Sequence, residues 1–112
     1  MSALRVILVG LGARSRVWRR VLGEDPAARI VGLVDRDRAA LAAVMADLPD
    51  AAGGTTLDEV AAQAAADAVI LITPPGGRDA QIAAACGARL AILAEKPLAD
   101  SLAAAEAHVA AA

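Results

Sequence analysis

The residues best suited to chemistry begin with a glycine-rich turn. Gly10 and Gly12 follow a short apolar run and precede a helical pattern that starts with Ala13, Arg14 and Ser15. At such a junction Gly10 permits a tight turn, and Gly12 lets a pyrophosphate approach the backbone, where the free N–H groups of the helix start bind phosphate. Ser15 replaces the usual third glycine and offers a hydroxyl to phosphate, with Arg14 near the pyrophosphate. The alternative is an ordinary glycine-rich link between a strand and a helix.

Asp35 strengthens the first interpretation. It ends the second apolar run, about twenty residues beyond Ser15, where a carboxylate accepts hydrogen bonds from the ribose hydroxyls of NAD. The alternative is that Asp35 is the N-cap of a helix that starts near Arg38. Arg36 could stack on the adenine or pair with the additional phosphate of NADP. The acid therefore favours NAD, and the arginine leaves NADP open.

A proline-rich turn closes the fourth apolar run. Thr73, Pro74 and Pro75 are followed by two glycines, which together fix an open, irregular turn. Ligands of parallel α/β sheets bind at the carboxyl edge, where this turn would lie. The alternative is a turn without a binding role.

Lys96 is the only lysine in the chain, which otherwise uses arginine for its Lys/Arg charges. An ammonium is a compact donor that can titrate when it is partly desolvated. Lys96 lies just after the fifth apolar run, between Glu95 and Pro97, and could hold or protonate a substrate hydroxyl or carbonyl beside the nicotinamide. The alternative is an exposed lysine without a chemical role. Pro97 could form a cis peptide, although trans is the default.

Other reactive side chains have structural interpretations. We expect Cys86 to be a small buried apolar residue, and His108 to be solvated or to face a helix dipole. Trp18 would pack its helix against the sheet. A solvated helix face accounts for three further arginines: Arg16, Arg19 and Arg20.

The spacing of the apolar runs predicts the elements that position these residues. Short β-branched runs alternate with alanine-rich helical patterns, which is typical of right-handed βαβ units. We predict one α/β domain, a doubly wound parallel sheet in three layers, with about five strands in the order 3-2-1-4-5. In the first helix, one face should pack on the sheet: Val17, Trp18, Val21 and Leu22. The predicted strands are 5–9, 30–34, a short edge strand at 53–55, 68–73 and 90–94, and the helices are 15–22, 38–45, one opening at 56, 78–86 and 101–112.

Composition excludes several functional classes. The 112-residue chain has a net charge of −2, and Trp18 is its only Phe, Trp or Tyr, so neither a basic nor a stacking surface for nucleic acid is expected. No apolar run approaches the roughly 18 residues of a membrane span. One cysteine leaves no intrachain disulfide and no cysteine-based metal site. We therefore expect a cytoplasmic protein without nucleic acid, membrane or metal partners.

The combined motifs resemble the N-terminal domain of the glucose–fructose oxidoreductase, inositol dehydrogenase and MocA family. The resemblance implies a Rossmann-like fold and an NAD(P)-dependent oxidoreductase that acts on a sugar, a polyol or a similar hydroxyl or carbonyl substrate. By the same resemblance, Lys96 is the active-site lysine. The motifs that carry it are Gly10, Gly12, Asp35, residues 73–75 and, most specifically, residues 95–97. The residues along the nicotinamide ribose and ring would be Thr73, Pro74, Glu95 and Lys96.

The sequence departs from the family pattern in two side chains and in length. Arg78 stands where a histidine often follows the Thr-Pro-Pro turn, and Arg89 replaces a glycine that commonly precedes the fifth strand. Family members continue into a second α/β domain with the substrate pocket, so we expect residues 1–112 to be an NAD(P)-binding domain without its substrate domain. It would bind a dinucleotide and turn over little alone. The alternative is a binding or regulatory module without activity, whose sheet edge could pair with a second copy.

Overall fold

The computed structural model describes residues 3–74, 76, 78–96, 98–99 and 101–112. They form five strands, β1 (Leu4–Val9), β2 (Ala28–Val34), β3 (Ala52–Gly54), β4 (Ala68–Leu71) and β5 (Ala91–Ala94). The helices between and after them are α1 (Ala13–Glu24), α2 (Arg38–Asp47), α3 (Leu57–Gln63), α4 (Asp79–Gly87) and α5 (Leu102–Ala111). All strand pairs are parallel, and the order is β3-β2-β1-β4-β5. The predicted doubly wound α/β fold is confirmed.

The central strand β1 explains why its sequence is a continuous apolar run. Residues Val6, Ile7, Leu8 and Val9 are each at most 2% exposed. Helices cover both faces of a parallel sheet, so successive side chains are buried on alternating sides. Ile7 and Val9 pack in one core cluster, and Val6 and Leu8 in the other.

The two clusters use different helices. The first contains Val60 of α3 and Ile82 of α4, and the second contains Leu41 and Val44 of α2. Helices thus pack on both faces of the central strands, so the loops at the carboxyl edge have a fixed support.

The packing face of α1 differs from the prediction. Trp18 and Leu22 pack against the second cluster, and Ser15 is fully buried, but Val17 and Val21 are 38% and 50% exposed. Ser15, Trp18 and Leu22 share one face because residues three, four and seven apart are neighbours on a helix. The small Ser15 lets the start of α1 approach the sheet, which turns Val17 and Val21 outward.

The N-cap of α2 decides between the two interpretations of Asp35. Asp37 accepts hydrogen bonds from the backbone N–H groups of Ala39 and Ala40, at 2.9 and 3.3 Å, and is the N-cap of α2. The alternative in which Asp35 caps this helix is therefore wrong. Thr56 accepts from the N–H of Glu59 at 3.3 Å and is the N-cap of α3, so the predicted helix opening at 56 is confirmed.

His108 is less exposed than predicted. It is 6% exposed in the last turn of α5, and its Nδ1 lies 3.6 Å from Oδ1 of Asp79 at the start of α4. The solvated interpretation is wrong because α5 packs on α4, while its place in the last turn agrees with a position facing the dipole. Cys86 is only partly buried, and its Sγ donates to the carbonyl of Ala111 at 3.3 Å. Among the helices of the described residues, none combines the length and the apolar composition needed to cross a bilayer.

Candidate cofactor-binding site

A cleft of about 500 Å³ lies at the carboxyl ends of the strands. This volume falls within the roughly 300–1,000 Å³ of small-molecule sites. The cleft lies where the strand order reverses around β1, the position at which doubly wound sheets bind ligands. Thr55, Thr56 and Gln81, which the motifs did not indicate, also contribute to it. The predicted site residues that line it are Gly10, Gly12, Asp35, Arg36, Thr73 and Pro74.

The glycine turn fits a close approach of phosphate. Gly10 has φ +94°, and a Cβ there would lie 3.1 Å from the backbone of Ile72 and Thr73, so only glycine suits the position. A Cβ on Gly12 would meet no atom of the described residues within 4 Å. Gly12 therefore faces open space at the start of α1, where no side chain of the described residues caps the helix. The first N–H groups of this helix, including that of Ala13, have no side-chain acceptor among the described residues and can bind an anion.

Ser15 has a structural role in this turn. It is fully buried, and its Oγ donates a hydrogen bond to the carbonyl of Gly12 at 2.7 Å. The small side chain of Ser15 thus lets α1 pack closely on the sheet. The predicted offer of its hydroxyl to phosphate is wrong, because that hydroxyl is turned inward and its proton is already donated.

The carboxylate of Asp35 is held between two segments of the cleft. Its Oδ2 accepts from the N–H of Leu11 at 2.9 Å, and its Oδ1 accepts from the N–H of Asp37 at 2.8 Å. Each carboxylate oxygen has a second lone pair, so both can also accept hydrogen bonds from ribose hydroxyls. Arg36, which is exposed, lines the cleft beside it.

Glu95 connects the end of β5 to α1. Its Oε1 accepts hydrogen bonds from Nε of Arg14 at 2.8 Å and from Nε1 of Trp18 at 2.6 Å. The hydrogen bond from Arg14 lowers the pKa of Glu95 most, that from Trp18 adds to it, and partial burial opposes both. Arg14 lies in the first turn of α1, but its guanidinium contacts this carboxylate, and Trp18 also donates to it besides packing. Sequence patterns gave no sign of a contact between residues 77 positions apart.

Arg78 is a site residue that the sequence analysis missed. It is 1% exposed and donates to the carbonyls of Thr73 at 2.7 Å, Glu95 at 2.8 Å and Leu98 at 3.1 Å. Burial lowers the pKa of Arg78, and the charge of Glu95 opposes this shift. The departure from a histidine at this position was the only sequence signal.

The remaining predicted residues lie around these contacts. Lys96 directly follows Glu95, and its side chain is exposed. Both residues lie outside the lining of the cleft, on the next strand end along the same edge. Thr73 lines the cleft, and its Oγ1 donates to Oε1 of Gln81 at 2.9 Å. Pro75 and Pro97 fall outside the described residues, and these residues contain no group of three or more His, Cys, Asp or Glu side chains that could hold a metal ion.

Comparison with known families assigns the cofactor. The chain matches the oxidoreductase family with an NAD-binding Rossmann fold, that of glucose–fructose oxidoreductase, inositol dehydrogenase and MocA, over residues 4–112. The chain belongs to this family. It is an NAD-binding Rossmann domain of these oxidoreductases, as the resemblance of its motifs implied.

Individual relatives match nearly the whole chain. Inositol 2-dehydrogenase of Corynebacterium glutamicum is 34% identical over 98 residues, which are 87% of this chain and 29% of that protein. The WlbA dehydrogenase from Bordetella pertussis, solved with NADH and UDP-GlcNAcA, superposes with a TM-score of 0.92 at 28% identity, over 99% of this chain and 33% of that one. GenD2 from gentamicin A biosynthesis, solved with NAD, has a TM-score of 0.88 at 32% identity, over 99% and 32%. The chain spans about a third of the length of these relatives.

Proposed function

We propose that this chain is the cofactor-binding domain, residues 1–112, of an NAD-dependent oxidoreductase acting on a hydroxyl-bearing carbon of a sugar or polyol. The observation that carries the proposal is the position of Asp35 in the cleft, held by the N–H of Leu11 in the glycine turn. This contact joins the phosphate-binding turn to the ribose-binding carboxylate. The substrate class is supported by the inositol and sugar-nucleotide dehydrogenases that the chain resembles.

The adenosine half of the cofactor would lie between β1 and β2. The pyrophosphate would approach Gly12 and accept hydrogen bonds from the first N–H groups of α1. The ribose hydroxyls would donate to Asp35. An additional phosphate at that ribose would meet the Asp35 carboxylate, and like charges at a few ångströms repel. We therefore expect a preference for NADH over NADPH, which the exposed Arg36 reduces.

The nicotinamide half would extend along the ends of β4 and β5. Thr73 and Pro74 line this side of the cleft, and Glu95 holds the next loop through Arg14 and Trp18. When bound, the cofactor accepts or supplies the hydride. In oxidation, Nζ of Lys96 would accept a hydrogen bond from the substrate hydroxyl and take its proton as the hydride leaves the carbon for the cofactor; in reduction it would return that proton to the carbonyl oxygen. The other substrate contacts would come from a further domain, as in relatives three times this length.

A calorimetric titration of the 112-residue chain with NADH and NADPH tests the cofactor site. We expect saturable NADH binding, weaker NADPH binding, and a loss of roughly 10- to 100-fold in NADH affinity for Asp35→Asn, since hydrogen bonds to a charged group are removed. The NADPH affinity of this variant should fall less, because the repelling charge is lost as well.

Asp50→Asn is the matched control, because Asp50 is exposed and lies outside the cleft. Its NADH affinity should equal that of the unaltered chain. A folded chain that binds neither cofactor, or an Asp35→Asn variant with undiminished NADH affinity, would contradict the proposal.

A further inference from the structure

Glu95 is held at three of its groups, which fixes the start of the segment that carries Lys96. Its N–H donates to the carbonyl of Leu71 in β4 at 2.9 Å. Its carboxylate accepts from Arg14 and Trp18 of α1. Its carbonyl oxygen accepts from Nη1 of Arg78 at 2.8 Å. That oxygen belongs to the peptide group joining Glu95 to Lys96, so Arg78 sets the orientation of the peptide from which Lys96 continues.

Arg78 also binds the chain on the other side of Lys96. Nη1 donates to the carbonyl of Leu98 at 3.1 Å, and Nη2 donates to the carbonyl of Thr73 at 2.7 Å. One guanidinium thus connects the end of β4 with the residues before and after Lys96. Through its hydrogen bond to Thr73, Arg78 fixes the position of Lys96 relative to a residue that lines the cleft.

The chemistry of the side chain supports a positioning role. A guanidinium presents five N–H donors in a rigid planar fork, which a lysine ammonium or a glutamine amide cannot reproduce. Burying a charge is unfavourable unless its donors are satisfied. Arg78 is 1% exposed, and an apolar residue of similar volume would fill its position without the cost of burying a charge. Such a residue would, however, leave the three carbonyls without these donors.

We propose that Arg78 is a positioning residue for Lys96, fixing the backbone on both sides of the lysine relative to the nicotinamide end of the cleft. The inference rests on the proposed function, in which Lys96 contacts the substrate. It assigns a role to Arg78, which stands where the family resemblance led us to expect a histidine. The contacts of Arg78 lie within the chain, so the order of the Lys96 segment can be measured without adding cofactor.

The test uses Lys96 as the only lysine of the chain. Labelling with ¹⁵N-lysine gives one backbone amide signal, whose relaxation reports the order of this residue. We expect an order parameter near 0.85 in the unaltered chain and below about 0.6 in Arg78→Met, the values of rigid and flexible backbone. Arg89→Met, at the opposite end of α4 and exposed, is the matched control and should leave it unchanged.

A second readout connects the segment to the cofactor. Reductive ¹³C-methylation places a probe on Nζ of Lys96, and NADH should shift its signal in the unaltered chain. In Arg78→Met most of this shift should be lost, whereas affinity for ADP-ribose, which lacks the nicotinamide, should stay within about twofold, as for sites without shared contacts. A purely structural role of Arg78 would lower stability without this selective loss.

A folded Arg78→Met chain with an ordered Lys96 amide and an unchanged NADH-induced shift would overturn the inference. If that variant does not fold, Arg78→Gln, whose amide cannot reproduce the fork that reaches three carbonyls, carries the same two measurements with the same contradicting result. If NADH does not bind the unaltered chain, the proposed function fails, and the order parameter alone decides the role of Arg78.

Discussion

The carboxylate of Glu95 receives donors from two side chains of α1, and this arrangement depends on its charge. The hydrogen bond from Arg14, and then that from Trp18, lowers the pKa of Glu95 below its ordinary value of 4.5. A carboxyl whose pKa is lower in the folded than in the unfolded state stabilises the fold above the unfolded pKa. This contribution is lost as pH falls through the folded value.

Replacing Glu95 with glutamine therefore has a pH-dependent effect. We expect Glu95→Gln to lower Tm at about pH 7, and the difference from the unaltered chain to shrink as pH falls below the ordinary value of 4.5. Thermal unfolding followed by circular dichroism over this acid range measures it. Glu106→Gln, an exposed position on α5, serves as control, and a Tm difference for Glu95→Gln that is constant with pH would contradict the assignment.

Other residue-scale contacts show what the sequence could and could not predict. Asp35 was identified because its place after a strand and a glycine turn has a known spacing. The contacts of Arg78 and the hydrogen bond between Trp18 and Glu95 were not predicted. They join segments that are distant in sequence and become neighbours only because of the order of the strands in the sheet. Short-range patterns predict which residues reach an edge, but they do not predict which side chains then bind one another.

At the scale of elements, the two glycines of the turn between β1 and α1 have different roles. Gly10 has a positive φ, and a Cβ there would lie 3.1 Å from the backbone just after β4. Gly12 has an ordinary φ of −74° and open space beside it. The first glycine is required by the fold, whereas the second would be required by the cofactor under the proposed function.

Alanine substitutions should separate these two requirements. Gly10→Ala should lower the free energy of unfolding by at least about 1–2 kcal/mol, because a side chain at positive φ is strained. Gly12→Ala should change it by less than about 0.5 kcal/mol, as at other exposed sites, yet weaken NADH binding roughly tenfold or more. Urea unfolding and calorimetry on both variants measure this, and equal effects of the two on stability would refute the distinction.

The elements themselves were largely predictable. Each strand begins within two residues of its predicted start, because β-branched runs separated by helical patterns define βαβ units. The orientation of α1 could not be predicted, because Val17 and Val21 fit the spacing of a helix face as well as Trp18 and Leu22 do. The buried Ser15 decided between the two faces, and its packing depends on the sheet rather than on the helix sequence.

At the scale of the whole molecule, the cleft and a stabilising ion pair lie at opposite ends of the sheet. The cleft occupies the carboxyl edge, while Arg5 at the start of β1 pairs with Asp67, just before β4, through its backbone N–H, Nε and Nη2 at 2.9, 3.2 and 3.0 Å. This pair lowers the pKa of Asp67 and raises that of Arg5. It joins two neighbouring central strands without approaching the cleft.

Asp67→Asn should therefore affect stability alone. We expect a small decrease in Tm at neutral pH, because exposed ion pairs contribute little, and an NADH affinity equal to that of the unaltered chain. The pKa of Asp67 is lower in the folded state. The decrease in Tm should therefore disappear in acid, where the Asp67 carboxyl is protonated in both the folded and the unfolded state. Weaker NADH binding by this variant would show that the two ends of the sheet are coupled.

The hydrogen bond from Trp18 to Glu95 also has an optical consequence. The protein has one tryptophan and no tyrosine or phenylalanine, so its ultraviolet fluorescence originates from an indole at the junction of α1 and the end of β5. Indole emission overlaps the absorption band of reduced nicotinamide but not that of the oxidised ring. Trp18 is thus an intrinsic energy donor, and its quenching can distinguish NADH from NAD⁺ at this edge of the sheet without an added label.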